Sequence, residues 1–228
     1  MNVIITGAGK GLGFELCKEF LRHADTYVLA ISRDIGNLRP LTSDYHSMQA
    51  LAFDLEEDDY TQLVDHVYLL PGHKIDILIN NAGLLIKKAF KDLNTEDNRR
   101  MLEVNYLAPY KLIQKLLPCF SDNAHIVNIS SMGGFQGSEK FKGLAGYSAS
   151  KAALACLTEC LAGELKANNI KANCLCLGSV QTSMLEQAFP GYQASVTAGE
   201  MAVFISNFAI NAHKFINGKI IPVALTNP

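Results

Sequence analysis

Short apolar, β-branched runs recur along the chain, separated by longer stretches in which apolar residues return every three or four positions. The apolar runs predict strands at 2–6, 26–31, 48–53, 75–80, 124–130, 171–177 and 219–223. The amphipathic stretches between them predict helices at 11–22, 58–69, 96–118, 146–168 and 198–211. No internal repeat and no linker interrupts this alternation, so the pattern predicts an α/β protein.

Several predicted strands are apolar at almost every position, as at 75–79 and 126–129. Strands of this kind are typical of parallel sheets that are covered on both faces. We therefore expect a single doubly wound Rossmann-type domain over residues 1–228, with a seven-stranded, mostly parallel sheet flanked by helices on both faces. In such a sheet the ligand binds at the carboxyl ends of the strands, near the point where the strand order reverses.

Composition narrows the class of protein. With 228 residues, 49% of them hydrophobic, and a formal net charge of -2, the chain can bury a large core and shows no sign of a nucleic-acid partner. No apolar run reaches the roughly 18 residues of a membrane span, and the strand predicted at 2–6 leaves no room for a signal peptide. We expect a soluble cytoplasmic protein without a nucleic-acid or membrane partner.

The six cysteines form no Cys-x-x-Cys pair. A metal site is the alternative for two pairs, Cys156 with Cys160 and Cys174 with Cys176. The first pair has helical spacing and the second has strand spacing, and neither is the spacing of a zinc site. We expect free thiols packed as small hydrophobes, and no metal site.

A glycine-rich segment, Thr6–Gly13, joins the first predicted strand to the first predicted helix. Its glycines have the spacing G-x-x-x-G-x-G, and no Ser or Thr follows Lys10 as a Walker loop requires. Glycine lets the backbone turn sharply and approach a ligand, and the free N–H groups of a helix start bind phosphate. The segment predicts a dinucleotide site, the alternative being a tight turn without a ligand.

The end of the second predicted strand carries Ser32 and Arg33, where an acidic residue would accept the ribose hydroxyls of NAD. A guanidinium beside a hydroxyl suits a 2′-phosphate instead, and Lys10 could reach the same group. These residues favour NADP(H) over NAD(H), unless they are simply solvated surface cations.

Tyr147 and Lys151 lie four residues apart at the start of a predicted helix, so the phenol and the ammonium share one face. A nearby cation would lower the pKa of the phenol and make it a usable acid or base, although such pairs are common on ordinary helix surfaces. Ser130 and Ser131 follow a predicted strand, where one hydroxyl could hold a substrate oxygen.

Asn105 lies four residues before Pro109 within the helix predicted at 96–118. Because proline lacks an N–H and crowds the carbonyl four residues earlier, we expect a kink there. The main-chain oxygen of Asn105 would then be free to bind a water, unless the kink has no function.

These segments, together with Asn80-Asn81-Ala82-Gly83, occur in an order and at a spacing that resemble the short-chain dehydrogenase/reductase family, of the classical type. The resemblance covers essentially the whole chain. It implies that Tyr147 is the general acid or base, that Lys151 lowers its pKa and holds the nicotinamide ribose, and that Ser131 orients the substrate oxygen. It also implies that Asn105 holds a relay water. The cofactor residues that it implies are Gly7, Lys10, Gly11, Leu12, Gly13, Ser32, Arg33, Asp54, Leu55, Asn81, Ala82, Gly83, Tyr147, Lys151, Val180 and Thr182.

The function implied is NADPH-dependent reduction of a carbonyl, or oxidation of an alcohol, on a small-molecule substrate. An NAD(H)-preferring dehydrogenase and a dinucleotide sensor without turnover are the alternatives. The family's usual Pro-Gly is here Leu177-Gly178, and the short segment after Thr182 predicts a small or incomplete lid. Aromatic and aliphatic residues that could wall the substrate pocket are Phe135, Phe141, Met184, Leu185 and Phe189.

Family members usually associate through the two helices that carry Asn105 and Tyr147. Here these helices carry apolar residues at helical spacing, namely Leu107, Ile113, Leu117, Leu154, Leu157 and Leu161. A homodimer or homotetramer is therefore expected, unless these residues face the sheet.

Overall fold

The computed structural model describes residues 1–56 and 59–225. In these ranges the strands are β1 (Asn2–Thr6), β2 (Tyr27–Ser32), β3 (Met48–Ala52), β4 (Ile75–Asn80), β5 (Phe120–Ser131), β6 (Lys171–Leu177) and β7 (Ile220–Val223). They form one sheet in the order β3-β2-β1-β4-β5-β6-β7, and every neighbouring pair is parallel. The predicted α/β class and the seven-stranded sheet are confirmed.

The helices among the described residues are α1 (Gly11–Phe20), α2 (Arg39–Asp44), α3 (Thr61–Val67), α4 (Thr95–Leu102), α5 (Ala108–Leu116), α6 (Ala145–Glu164), α7 (Ser183–Ala188) and α8 (Ala198–Asn211). The helix predicted at 58–69 begins at a residue outside the described ranges, and α3 lies within its remainder. The short helices α2 and α7 were not predicted, because six residues give too little periodicity to recognise.

The segment predicted as a helix at 96–118 is helical, and it is irregular just before Pro109, where a kink is expected. The structure divides this segment into α4, a π-helical turn over Glu103–Leu107, and α5, which begins just before Pro109. Proline cannot donate the hydrogen bond that a helix interior needs, so the regular α-helical ladder is interrupted where the sequence placed a kink.

Apolar side chains cover both faces of the sheet. Along β1, Val3 and Ile5 pack into a cluster with residues of α1 and α8, whereas Ile4 packs on the opposite face with residues of α3 and α5. This alternation follows from the two-residue period of a strand. Because helices cover both faces, a ligand would bind at the carboxyl edge of the sheet, where the strand order reverses between β1 and β4.

Within the described residues, no helix combines the length and the apolar composition needed to cross a membrane. All six cysteines are free thiols, but they are not all packed in the core as expected. Cys156 and Cys160 are exposed on α6, and the other four are buried.

A buried polar cluster lies at the opposite edge of the sheet, around His125 of β5. Its Nδ1 is 2.8 Å from the main-chain oxygen of Ala209, and its Nε2 is 3.0 Å from Nδ2 of Asn173. These partners suit a neutral ring that donates from Nδ1 and accepts at Nε2. Burial lowers the pKa of His125 to about 4, and burial also lowers the pKa of the neighbouring His213.

This cluster predicts a loss of stability in mild acid. The pKa of His125 is lower in the folded chain than in the unfolded chain, so its contribution is complete above pH 6.5 and is lost as the pH falls towards 4. The change is on the order of 3 kcal/mol. Urea unfolding between pH 7.5 and 4.5 should show a shallower pH dependence for His125→Gln than for the wild type.

The exposed His46 provides the control, since His46→Gln should keep the wild-type pH dependence. An unchanged slope for His125→Gln would show that another group governs acid unfolding.

Candidate active site

The turn between β1 and α1 is built on glycines that no other residue could replace without strain. Gly7 has φ 66° and Gly11 has φ 56°, in the left-handed region that glycine favours. A Cβ on Gly13 would lie 2.2 Å from the main-chain oxygen of Gly7. The turn therefore brings the backbone of the start of α1 directly against the end of β1.

Hydrogen bonds from the loop after β4 hold this turn in place. The hydroxyl of Thr6 accepts from the main-chain N–H groups of Asn81, at 3.1 Å, and Ala82, at 3.0 Å. Nδ2 of Asn81 donates to the main-chain oxygen of Thr6 at 3.0 Å. The two loops on either side of the strand-order reversal are thus joined into one wall.

A cleft of about 300 Å³ opens beside this wall, at the carboxyl ends of the strands. The structure brings every predicted cofactor residue to the lining of this cleft: Gly7, Lys10, Gly11, Leu12, Gly13, Ser32, Arg33, Asp54, Leu55, Asn81, Ala82, Gly83, Tyr147, Lys151, Val180 and Thr182. Their binding roles remain predictions, but their convergence from separate segments is a property of the fold.

Several residues of the cleft were missed by the sequence analysis. Gly9 lines it, and a Cβ there would lie 2.4 Å from the main-chain oxygen of Asp34 and 2.5 Å from the hydroxyl of Ser32. Its place in the glycine-rich segment was a usable signal. Glu56 also lines the cleft, two residues after Asp54, and no motif indicated it.

A second cleft, of about 540 Å³, adjoins the first. Leu85, Ser131, Tyr147, Leu177 and Gly178 line both clefts, so the two meet at the serine and tyrosine hydroxyls. The other walls of the second cleft are mainly apolar. They include Met132, Phe141, Leu144, Phe189, Tyr192, Val196, Met201, Val223 and Leu225.

The residues expected to wall the substrate pocket are only partly brought together. Phe141 and Phe189 line the second cleft, whereas Met184 and Leu185 line the first. Phe135 lines neither and packs instead against a buried cluster beneath α6.

Tyr147 and Lys151 lie one turn apart near the start of α6, as predicted from their spacing. Nζ of Lys151 is buried and donates to the main-chain oxygen of Ile129 at 2.8 Å. Burial lowers the pKa of Lys151 to about 8. Burial raises the pKa of Tyr147 above 10, against the opposing effect of a hydrogen bond with Ser131. The direction for tyrosine is opposite to the one expected from a nearby cation, because loss of solvation dominates in this structure.

The two serines at the end of β5 have different surroundings. Ser130 is buried, and its hydroxyl donates to the main-chain oxygen of Lys151 at 2.8 Å. Ser131 accepts from the N–H of Gly133 at 3.1 Å and lines both clefts. Ser131 therefore lines both clefts and Ser130 only the first, and the role of Ser131 towards a substrate stays a prediction.

Asn105 is fully buried within the π-helical turn. Its side chain accepts from the N–H of Leu84 at 2.8 Å and donates to the oxygen of the same residue at 2.9 Å. It also donates to the hydroxyl of Ser150 at 2.9 Å. Asn105 therefore links the loop after β4 to α6, the helix that carries Tyr147.

The segment after Thr182 forms the six-residue helix α7, whose first residues line the first cleft, and Phe189, just after it, lines the second. The hydroxyl of Thr182 accepts from the N–H of Leu185 at 3.3 Å and so caps this helix. At the other end, Nζ of Lys87 donates to the oxygen of Ala188 at 2.9 Å and lies 3.8 Å from the ring centroid of Phe189. These contacts fasten α7 and Phe189 to the loop after β4.

Comparisons with known proteins agree with this geometry. A sequence profile described as short chain dehydrogenase matches residues 1–193. Dehydrogenase/reductase SDR family member 7B of Xenopus laevis is 30% identical over 200 residues, which are 83% of this chain and 61% of that protein. Short-chain dehydrogenase/reductase cdmF of Talaromyces verruculosus is 33% identical over 188 residues, 80% of this chain and 70% of that protein. The chain thus spans only about three fifths of the length of the first of these relatives.

Solved structures share the fold over nearly all of the chain. 4-Hydroxyisoleucine dehydrogenase complexed with NADH has a TM-score of 0.83 at 24% identity, with 97% of this chain and 96% of that one covered. ElxO with NADP bound has a TM-score of 0.82 at 24% identity, with the same coverage of both chains. The 3-ketoacyl-(acyl-carrier-protein) reductase from Brucella melitensis complexed with NADH has a TM-score of 0.82 at 25% identity, with 97% and 96% covered.

Proposed function

Because the chain belongs to the short chain dehydrogenase family, we propose that it is an NADP(H)-dependent oxidoreductase acting on a carbonyl or secondary alcohol. The observation that carries this proposal is the position of Ser131 and Tyr147 where the two clefts meet, with Lys151 buried beside them. In the proposal residues 1–228 act as a single catalytic domain, and the first cleft takes the dinucleotide while the second takes the substrate.

The residues of the first cleft fit a dinucleotide. Gly7, Gly11 and Gly13 line this cleft beside the N-terminus of α1, where free N–H groups favour phosphate. Asp54 and Leu55, which also line the cleft, would contact the adenine, and Asn81 would contact the adenosine ribose. Val180 and Thr182 would contact the nicotinamide end. The neighbours solved with NADH or NADP support a nicotinamide dinucleotide in general.

The bound dinucleotide would supply the hydride in reduction and accept it in oxidation. In reduction, the carbonyl carbon gains the hydride and the carbonyl oxygen takes the proton from the hydroxyl of Tyr147. Ser131 would hold the same oxygen by donating a hydrogen bond, and the ammonium of Lys151 would stabilise the tyrosinate left behind. A water on the main-chain oxygen of Asn105 would return a proton through Lys151.

The second cleft indicates the kind of substrate. Its volume of about 540 Å³ and its apolar walls suit a carbonyl compound with a sizeable hydrophobic part. The hydroxyls of Ser131 and Tyr147 are polar groups at the end that adjoins the first cleft, so the reacting oxygen would point there.

The proton-transfer role predicts a large effect of Tyr147→Phe. Removing one oxygen keeps the ring and its packing but leaves no group to donate the proton, so kcat/KM should fall by roughly 10²- to 10⁴-fold. Steady-state reduction of a carbonyl panel with NADPH measures this loss. Binding of NADPH, followed by its fluorescence, should persist.

Tyr110→Phe is the matched control, because Tyr110 is exposed on α5 and should tolerate the change. Turnover by Tyr147→Phe equal to that of this control would remove the proposed mechanism.

The preference for NADP(H) is supported by charge. Arg33 and Lys10 line the adenosine side of the first cleft together with Ser32. A guanidinium binds a phosphate through charge-assisted, two-point hydrogen bonds, which the ribose hydroxyls of NAD cannot match. The structural neighbours include both NADH and NADP complexes, so the preference depends on these side chains.

Titration of the two cofactors should therefore give tighter binding of NADPH than of NADH. Arg33→Asp should reverse the order, because it removes the cation and adds a carboxylate that accepts ribose hydroxyls. Arg22→Asp, at the end of α1 beside Glu19, should leave the ratio unchanged. Tighter NADH binding by the wild type would overturn the assignment of the cofactor.

A homodimer or homotetramer is proposed from the outer face of α6. Of the six apolar residues noted in the sequence, Ile113 and Leu154 are buried, and Leu117 and Leu161 pack partly against the core. Instead α6 exposes a line of small residues at helical spacing: Ala149, Ala152, Cys156, Cys160 and Gly163. Small side chains would let a second helix approach closely.

Light scattering should accordingly give at least twice the mass of one chain. Ala152→Arg should shift the protein towards the monomer, because a long charged side chain cannot be accommodated between closely packed helices. Ala24→Arg, at an exposed position before β2, should not. A monomeric wild type would contradict the proposal.

A further inference from the structure

Glu56 occupies an unexpected position for a carboxylate. It follows β3 and lines the first cleft, and its side chain is only 16% exposed. Its main-chain N–H donates to Oδ1 of Asp54 at 2.9 Å, which fixes the backbone at this point. A negative charge is thus held beside the place proposed for the 2′-phosphate of NADP.

Two guanidinium groups from separate elements share this carboxylate. Arg100 of α4 donates from Nε to Oε1 at 3.1 Å and from Nη2 to Oε2 at 3.3 Å. Arg33 approaches Oε2 only to 3.6 Å, through Nη1, which is an ion pair but too long for a hydrogen bond. Arg100 is therefore the two-point partner of Glu56, and Arg33 is the loosely held one.

The two arginines differ not only in how closely they contact Glu56 but also in their surroundings. Arg33 lines the first cleft and has a side chain that is 64% exposed, so it can turn towards a bound phosphate. Arg100 does not line the cleft. If Arg100 were absent, the full charge of Glu56 would act on Arg33 and would repel the phosphate as well.

We infer that Glu56 and Arg100 set the cofactor preference of this chain. Glu56 is a specificity-determining residue that opposes a 2′-phosphate, and Arg100 is a positioning residue that neutralises Glu56 and leaves Arg33 for the phosphate. The inference rests on the first cleft being the proposed cofactor site, but it concerns the change in preference on mutation, whichever cofactor the wild type favours.

A double-mutant cycle tests the inference through binding rather than turnover. Dissociation constants for NADPH and NADH are measured by fluorescence titration on the wild type, Glu56→Gln, Arg100→Met and the double variant. Glu56→Gln should raise the preference for NADPH and Arg100→Met should lower it, each by about threefold or more, as expected for partly exposed ion pairs. In the Glu56→Gln background Arg100→Met should have no further effect.

Two controls separate this mechanism from general changes in charge or structure. Arg99→Met removes the neighbouring cation on α4, which pairs with Glu96, and should leave the preference unchanged. The effects of Glu56→Gln and Arg100→Met should shrink when the salt concentration is raised, because screening weakens charge interactions. Arg100→Lys keeps the charge but loses the two-point contact, and should lie between the wild type and Arg100→Met.

The inference is overturned if Arg100→Met leaves the ratio of the two constants unchanged, or if it has the same effect with and without Glu56. A wild type that prefers NADH would instead overturn the proposed cofactor preference, and the cycle would still report on Glu56 and Arg100.

Discussion

The rest of the site depends on a close contact between two backbone segments, where the strand order reverses. The turn after β1 can lie against the start of α1 only because position 13 has no side chain. Asn81 and the hydroxyl of Thr6 then join this turn to the loop after β4. Buried polar groups need hydrogen-bond partners, and here the ends of β1 and β4 provide hydrogen bonds for each other. The cleft is the space left beside this joint, so its shape is fixed by hydrogen bonds within the chain.

The sequence predicted most of the fold because the strands of a parallel sheet give a simple hydrophobic pattern. The five central strands are mostly buried on both faces and so appear as apolar runs, whereas the edge strands β3 and β7 are only partly buried. Six of the predicted strands have bounds within one residue of those observed, but β5 begins at Phe120, four residues before the predicted start. The glycine turn, Ser32 and Arg33 could be predicted for a related reason, since the carboxyl ends of parallel strands meet at one edge. Other residues of the first cleft, such as Asp54, Asn81 and Thr182, were implied only by the resemblance to the family. Asn105 could be predicted only in part. Its kink followed from Pro109, but its side-chain bonds to Leu84 and Ser150 did not, because they join three distant segments.

The sequence did not predict which charged side chains form ion pairs, or how burial shifts their pKa values. The pairing of Glu56 with both Arg33 and Arg100 joins residues far apart in the chain and depends on side-chain geometry. The same holds for Tyr147. Its spacing from Lys151 predicted a lowered pKa, whereas burial raises it. A motif fixes which groups are neighbours, but the pKa also depends on how much solvent the surrounding fold removes.

The buried ammonium of Lys151 connects the first cleft with the pKa of Tyr147. Its ammonium is buried, and among the described residues it has no carboxylate within ion-pair distance; its hydrogen-bond acceptor is the oxygen of Ile129. A buried cation with only dipolar partners is costly, which is why its pKa falls to about 8. An anionic molecule in the adjoining cleft would favour the charged form, and a charged Lys151 would in turn lower the pKa of Tyr147. If Tyr147 and Lys151 act as proposed, ligand binding in the first cleft and proton transfer would thus be coupled through this buried charge.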